Sequence, residues 1–204
     1  MSNVKWNLLF VLLFPAVLWA DSPGPRVPAS ACVDSHASIV GYVTVGERAF
    51  LAPQSSVRAG AGAPVVIGDE SNVQDGAVVV GMPEVGLLPA DVRGDIGGVR
   101  IGRRTSVAAQ AQVHGPARVG DGVFVGMQAF VYNAEVGDGC VIEPGATVMG
   151  VRVPPGRYVP AHLVVIDQDA AEALPRIHAR YAFRGINEKM VIVYTKMAEE
   201  KAKR

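Results

Sequence analysis

Residues 101–131 read IGRRTS, VAAQAQ, VHGPAR, VGDGVF, VGMQAF and V, so that an aliphatic residue returns at every sixth position. A small residue stands four positions after most of these aliphatic residues, as Thr105, Ala111 and Ala117 do. A period of six matches neither the 3.6-residue period of an α-helix nor the two-residue alternation of a hairpin sheet. It is typical of a parallel β-helix, in which each hexapeptide forms one short strand and one turn.

The same two rules hold over most of the chain. Outside that stretch the aliphatic series comprises Val27, Val33, Ile39, Val45, Leu51, Val57, Ile67, Val73, Val79, Val136, Ile142 and Val148. We therefore predict an all-β fold, a parallel β-helix of hexapeptide repeats over about residues 27–153. Its aliphatic side chains should fill a central column, and its small residues should fit the corners.

Two insertions interrupt the repeats. The first is short and covers about residues 60–64. The second, about residues 80–99, contains Pro83, Pro89 and several glycines. This composition predicts a surface loop.

The C-terminal segment follows a different pattern. The period stops after Val153 at the sequence PPG, and a short helix is predicted over residues 167–174, ended by Pro175. A longer helix is predicted over residues 177–203. We expect its apolar stripe to pack alongside the β-helix; the stripe comprises Ile186, Met190, Val193 and Met197.

The N-terminal twenty residues resemble a secretory signal peptide. Lys5 precedes an apolar run over residues 6–19, and Ala20 offers a cleavage site before polar residues. The expected mature protein, residues 21–204, would be secreted or periplasmic and would have no membrane contact after cleavage. The alternative is an uncleaved N-terminal anchor.

The amino-acid composition excludes some classes of protein. Nineteen basic residues balance nineteen acidic ones, so the sequence gives no electrostatic case for a nucleic-acid partner. Only 19% of residues are charged and 50% are hydrophobic, which excludes a disordered chain. Two cysteines are too few for a disulfide framework.

Three stretches resemble the γ-class carbonic anhydrases. They are residues 68–76 (GDESNVQDG), 112–117 (QVHGPA) and 126–131 (GMQAFV), and the resemblance extends over about residues 27–193. Hexapeptide acyltransferases share the six-residue period with this chain but not these motifs. The resemblance implies a left-handed β-helix that assembles as a homotrimer.

The resemblance also implies a metal-dependent activity. In the family, three histidines from two neighbouring chains hold zinc or ferrous iron at each subunit interface. The metal lowers the pKa of a bound water, and the resulting hydroxide attacks CO2 to give bicarbonate. A glutamine orients the hydroxide, and glutamates in the two insertions move protons.

When the site residues of the family are matched one by one to this sequence, most of them are absent. His114 matches one ligand position, whereas the other two are Val80 and Ala109. Gly60 and Ala61 replace the acidic pair of the first insertion. We therefore expect no metal cofactor as the chain stands, and zinc or iron only if the family activity is present. CO2 and bicarbonate are expected as ligands only in that case.

Several polar residues of the family pattern are retained. Gln74 and Asn72 match catalytic positions of the family, but we assign them to a polar ladder that lines the trimer interface, where Gln74 would be catalytically idle. Arg58 and Asp75 fit either a supporting role beside the site or an ion pair across that interface. His114 could be a relict ligand or an interface hydrogen-bonding group.

Three functions stay open on these grounds. The first is a catalytically silent or very weak trimer that retains the carbonic anhydrase scaffold as a binding or structural module. The second is an active carbonic anhydrase with an altered metal site. The third, less favoured, is a hexapeptide acyltransferase in which His114 acts as a lone general base.

Overall fold

The computed structural model describes residues 24–60, 62–82 and 97–202. They form a left-handed parallel β-helix with two C-terminal helices, which confirms the predicted fold class. The predicted signal peptide, Ala61 and most of the second insertion lie outside the described residues.

Three parallel sheets make the faces of the prism. Sheet I contains β1 (Cys32–Val33), β4 (Phe50–Leu51), β7 (Asn72–Val73), β10 (Ser106–Val107), β13 (Phe124–Val125), β16 (Val141–Ile142) and β19 (Tyr158–Val159). Sheet II contains β2 (Ser38–Val40), β5 (Ser56–Ala59), β8 (Val78–Gly81), β11 (Gln112–His114), β14 (Phe130–Tyr132), β17 (Thr147–Met149) and β20 (Val164–Val165). Sheet III contains β3 (Val43–Val45), β6 (Val65–Ile67), β9 (Val99–Ile101), β12 (Ala117–Val119), β15 (Glu135–Val136) and β18 (Arg152–Val153).

The predicted aliphatic column is the core. Each strand pairs in parallel with the equivalent strand of the next coil, so that Val113 is the register partner of Val79 on one side and Val131 on the other. All three side chains are completely buried. At the first coil the burial is incomplete, and Val27 is 41% exposed because it lies at the end of the column.

The coils continue beyond the predicted end at Val153. Two more strands, β19 and β20, extend the β-helix to Val165. A short helix, α1 (Gln168–Ala173), then closes the column with the buried residues Ala171 and Leu174. It begins at the predicted place, because the side chain of Asp167 accepts a hydrogen bond from the backbone N–H of Ala170.

The long helix differs from its prediction in both length and orientation. α2 spans Ile186–Ala202, and residues 177–185, which the sequence predicts to be helical, form turns and irregular backbone. It packs against sheet I through a face that contains Asn187, Val191 and Ala198. Of the predicted stripe, Ile186 and Met190 are partly buried and pack against the cluster that contains Phe124 and Tyr181, whereas Val193 and Met197 are exposed. The reason is that the small Ala198 fits against Phe50 and its neighbours.

No helix in the described part of the chain is long and apolar enough to cross a membrane.

Candidate functional site

The outer face of sheet II carries a column of side chains that includes two of the three expected ligand positions. Arg58, Val80, His114 and Tyr132 occupy the same place on β5, β8, β11 and β14, and each is the register partner of the next. Val80 therefore lies directly between Arg58 and His114. The structure therefore brings two of the three predicted positions together, and the side chain next to His114 at the second position is the isopropyl group of Val80.

His114 is a half-buried imidazole with one polar contact in the described chain. Its Nε2 lies 3.2 Å from Oε1 of Gln112, which is a hydrogen-bond acceptor. The ring centroid is 5.6 Å from that of Phe130. Burial, together with the positive charge of Arg58, lowers the pKa of His114 below its ordinary value of 6.5. These surroundings favour a neutral imidazole.

Ala109 lies on a different part of the surface. It belongs to the turn between β10 and β11, at the corner where sheets I and II meet. The turns stack along this corner, because the backbone N–H of Gln110 donates to the carbonyl of Asp75 and that of Gln128 donates to the carbonyl of Ala109. Ala109 thus stands in register with Asp75, one coil away from it, and not in the His114 column.

Gln74 and Asn72 form a buried polar chain next to this corner. Nε2 of Gln74 donates to Oδ1 of Asn72 at 2.9 Å, and Nδ2 of Asn72 donates to Oγ of Ser106 at 3.0 Å. Asn72 and Ser106 are fully buried, and Gln74 is only 6% exposed. The arrangement fixes the amide of Gln74 at the corner, with Asn72 acting as its support beneath α2.

Sequence reasoning missed Ser106 as the third member of this chain. Asn72 and Ser106 are register partners on neighbouring coils, but the second insertion separates them along the sequence. The only signal in the sequence is that each residue stands one place before an aliphatic position of the repeat, Val73 and Val107.

Arg58 and Asp75 are both exposed, and they do not pair with each other within the described residues. Arg58 projects from the face of sheet II, whereas Asp75 lies at the corner between sheets I and II. Their charges are therefore available to groups outside this part of the chain.

The remaining expected positions contribute little chemistry. Gly60 lies in the first insertion, where it forms an isolated bridge with Ala63. Within residues 24–60, 62–82 and 97–202, no group of three or more His, Cys, Asp and Glu side chains is arranged to hold a metal ion.

Comparison with solved structures identifies the same fold in transferases. The chain resembles a putative acetyltransferase from Bacillus cereus with a TM-score of 0.67 and 22% identity, covering 88% of this chain and 92% of that one. A hexapeptide transferase family protein from Anaplasma phagocytophilum gives a TM-score of 0.64 at 19% identity, covering 86% and 92%. At this level of identity the likeness shows the fold alone.

Sequence comparison is more specific. No family model matches the chain. A carboxysome assembly protein CcmM from Nostoc is 35% identical over 193 residues, which cover 92% of this chain but 34% of that protein, so the chain spans about a third of it. A carbonic anhydrase from Methanosarcina thermophila is 40% identical over 206 residues, which cover 97% of this chain and 81% of the relative. With this identity over most of both sequences, and with the β-helix described above, the chain belongs to the γ-class carbonic anhydrase family.

Proposed function

We propose that this protein is a homotrimeric γ-carbonic-anhydrase scaffold that does not hydrate CO2 at enzymatic rates. Its metal site is degenerate, and the trimer acts as a binding or structural module. The stacking of Val80 against His114 is the observation that carries this proposal.

The donor set does not fit the metal that the family implies. A working zinc site needs at least three protein ligands, and the three family positions supply one imidazole. The other two supply the isopropyl group of Val80 and the methyl group of Ala109, which have no lone pairs. An apolar wall also disfavours a divalent ion, because the ion loses hydration without compensation.

The surface of sheet II supports the proposed trimer. Phe130, Tyr132 and Met149 on its outer face are only partly buried, and Val164 is exposed. A contiguous apolar and aromatic face of this kind is typical of an interface between protein chains. Arg58 and Asp75 add one exposed charge of each sign next to it, which suits a contact with a second copy of the same chain.

The family relatives make a non-catalytic role reasonable. CcmM is named as an assembly protein in Nostoc and in Synechococcus elongatus, where the match is 41% identical over 153 residues. This chain matches only part of those proteins, so the support concerns the scaffold and not a carboxysome. We propose a scaffold role here without assigning a partner from the relatives.

Metal content and activity test the proposal together. The protein is purified without oxygen and without chelators, its mass is measured by light scattering, and zinc and iron are determined by elemental analysis. Stopped-flow CO2 hydration is recorded on the same sample. We expect a trimer with far less than one metal ion per chain and hydration at the uncatalysed rate. One metal ion per chain together with enzymatic hydration would show instead an active enzyme with an altered site.

A further inference from the structure

The long helix α2 is attached to sheet I less firmly than the coils are attached to one another. Its packing face contains Asn187, Val191 and Ala198, which are all buried. The apolar contacts of α2 form two small clusters, one around Phe50 and one around Phe124. Both clusters are separate from the aliphatic column inside the β-helix. α2 therefore lies outside the main core of the fold.

Two polar atoms of this packing face are buried without a hydrogen-bond partner. They are Oδ1 of Asn187 and Oγ1 of Thr195, and among the described residues the only other such side-chain atom is Nε of Arg157. A buried polar group of this kind has lost its hydrogen bonds to water and gained none in exchange, so it destabilises the packed state. Water reaches both atoms when the helix leaves the sheet. The docked helix thus carries a penalty that a detached helix does not.

Few polar contacts hold α2 in place. Nδ2 of Asn187 donates to the carbonyl of Arg104 at 2.7 Å near the first turn, and Nζ of Lys201 donates to Oδ2 of Asp34 at 3.2 Å near the last turn. The second contact is an exposed ion pair, and such pairs contribute little to stability in water. Between these two ends, α2 makes no side-chain hydrogen bond to the described coils.

The strip of sheet I beneath α2 keeps its shape without the helix. It consists of the outward-facing side chains of four successive strands, namely Cys32, Phe50, Asn72 and Ser106, which are register partners in this order and are all buried. The strands pair with one another through their backbones, and Nδ2 of Asn72 donates to Oγ of Ser106 within the strip. None of these bonds has to break when α2 moves away.

We propose that α2 is a detachable strap, which leaves sheet I as one unit while the β-helix stays folded. Segments with few buried apolar contacts and few hydrogen bonds open at a lower free energy than the core of a protein. Opening uncovers the strip from Cys32 to Ser106, including Asn72, the residue that holds the amide of Gln74. The helix thereby controls access to this face of the coil. The inference goes beyond the proposed scaffold role and rests on contacts within one chain, so it does not depend on the state of the metal site.

The two cysteines report two different kinds of opening. Cys32 lies beneath α2 in one cluster with Ala198, whereas Cys140 lies in the aliphatic column. The folded protein is treated with N-ethylmaleimide for increasing times and then unfolded, and the remaining thiols are labelled with the deuterated reagent. Peptide mass spectrometry then gives a rate for each cysteine. We expect Cys32 to react at least about a hundredfold faster than Cys140. Equal rates would mean that both thiols become accessible only on global unfolding, and would overturn the proposal.

Three variants separate detachment of α2 from other routes to Cys32. Thr195→Val removes the buried hydroxyl at nearly constant shape and should slow the reaction of Cys32 about tenfold. Val131→Ala weakens the column on the side of sheet II and should speed Cys140 about tenfold while leaving Cys32 unchanged. Val193→Ala changes an exposed residue of the same helix and should alter neither rate.

Two results with these variants would contradict the strap. If Val131→Ala speeds Cys32 as much as Cys140, α2 does not open independently of the column. If Thr195→Val leaves the rate of Cys32 unchanged, the thiol reacts without movement of the helix. Either result would show that the proposal is wrong.

Discussion

Val80 is the register partner of His114 on the neighbouring parallel strand, so its isopropyl group lies directly beneath the imidazole on the outer face of sheet II. Side chains at such positions are close enough to hold one ion jointly when both carry lone pairs. Here one of them is aliphatic. This contact is the reason why we propose that the chain keeps the family fold without the family chemistry.

Rebuilding the donors should restore metal binding. The double variant Val80→His with Ala109→His should bind close to one zinc per trimer interface, because three imidazoles then meet the minimum for a zinc site. Hydration activity should appear but stay below that of a complete enzyme, since Gly60 supplies no carboxylate and lost general acid–base help costs roughly 10²–10⁴-fold. Elemental analysis and stopped-flow hydration measure both.

A matched control for the rebuilt site is Val78→His with Ala109→His. Val78 is also on the outer face of β8, two residues before Val80, so the composition is the same and only the position differs. Equal zinc binding by both variants would mean that the assignment of the ligand positions is wrong.

The pKa of His114 predicts a stability change near neutral pH. Burial and Arg58 lower this pKa below 6.5 in the folded protein, so the unfolded chain takes up the proton first as the pH falls. The stabilising contribution of the neutral ring is present above pH 6.5 and is lost as the pH falls through the folded pKa. We expect urea unfolding to show a loss of stability below pH 6.5 that His114→Gln reduces. In Arg58→Gln, NMR should show the His114 pKa moving only part of the way up, because burial is the larger cause.

The repeat pattern predicted most of the fold because the positions that make it are independent of long-range context. Val113 and Val131 are buried as any aliphatic residue at their place in the hexapeptide would be. The last coil lies beyond the predicted range although Val159 and Val165 continue the series, because a proline pair before it predicts the end of the repeats. Proline is in fact acceptable at a turn of the coil.

The face of α2 that packs on sheet I was harder to predict from sequence, and so were the neighbours of His114. Two apolar stripes have helical spacing in α2, and only the shape of sheet I decides that Val191 is buried instead of Val193. The stacking of Val80 under His114 depends on how the chain resumes after the second insertion. Neither fact is local in sequence, which is why periodicity alone could not supply them.

Two valine truncations, one on the buried side of α2 and one on its exposed side, test the orientation of the helix. Val191 is 2% exposed and Val193 is 49% exposed. Val191→Ala should lower the free energy of unfolding by about 2 kcal/mol through lost burial and a small cavity. Val193→Ala should change it by less than about 0.5 kcal/mol. Chemical denaturation of both variants measures the difference, and the reverse order would support the stripe expected from sequence.

A stack of glycines at one corner should be intolerant of any side chain. A Cβ on Gly102 would lie 2.4 Å from the carbonyl oxygen of Gly120 in the next coil. Gly102→Ala should therefore cost about 3 kcal/mol, because backbone cannot move aside. Gly122 has a φ of 66° but open space around it, so Gly122→Ala should cost only about 1 kcal/mol for the left-handed backbone. Similar losses for the two variants, measured by thermal unfolding, would contradict this steric account.

The trimer is best tested by exchanging two charges. Arg58 and Asp75 are exposed and do not pair within the described residues, so an ion pair between them in the assembly must join two chains. Arg58→Asp alone places two negative charges at each contact, and Asp75→Arg alone places two positive charges there; both should weaken the trimer. The double variant restores an opposite pair and should recover most of the assembly, as a coupled pair does in a double-mutant cycle. Sedimentation of all four proteins at the same concentrations gives the coupling. Additive losses in the double variant would mean that these residues do not meet across an interface. A monomeric wild type would show that the proposed trimer does not form.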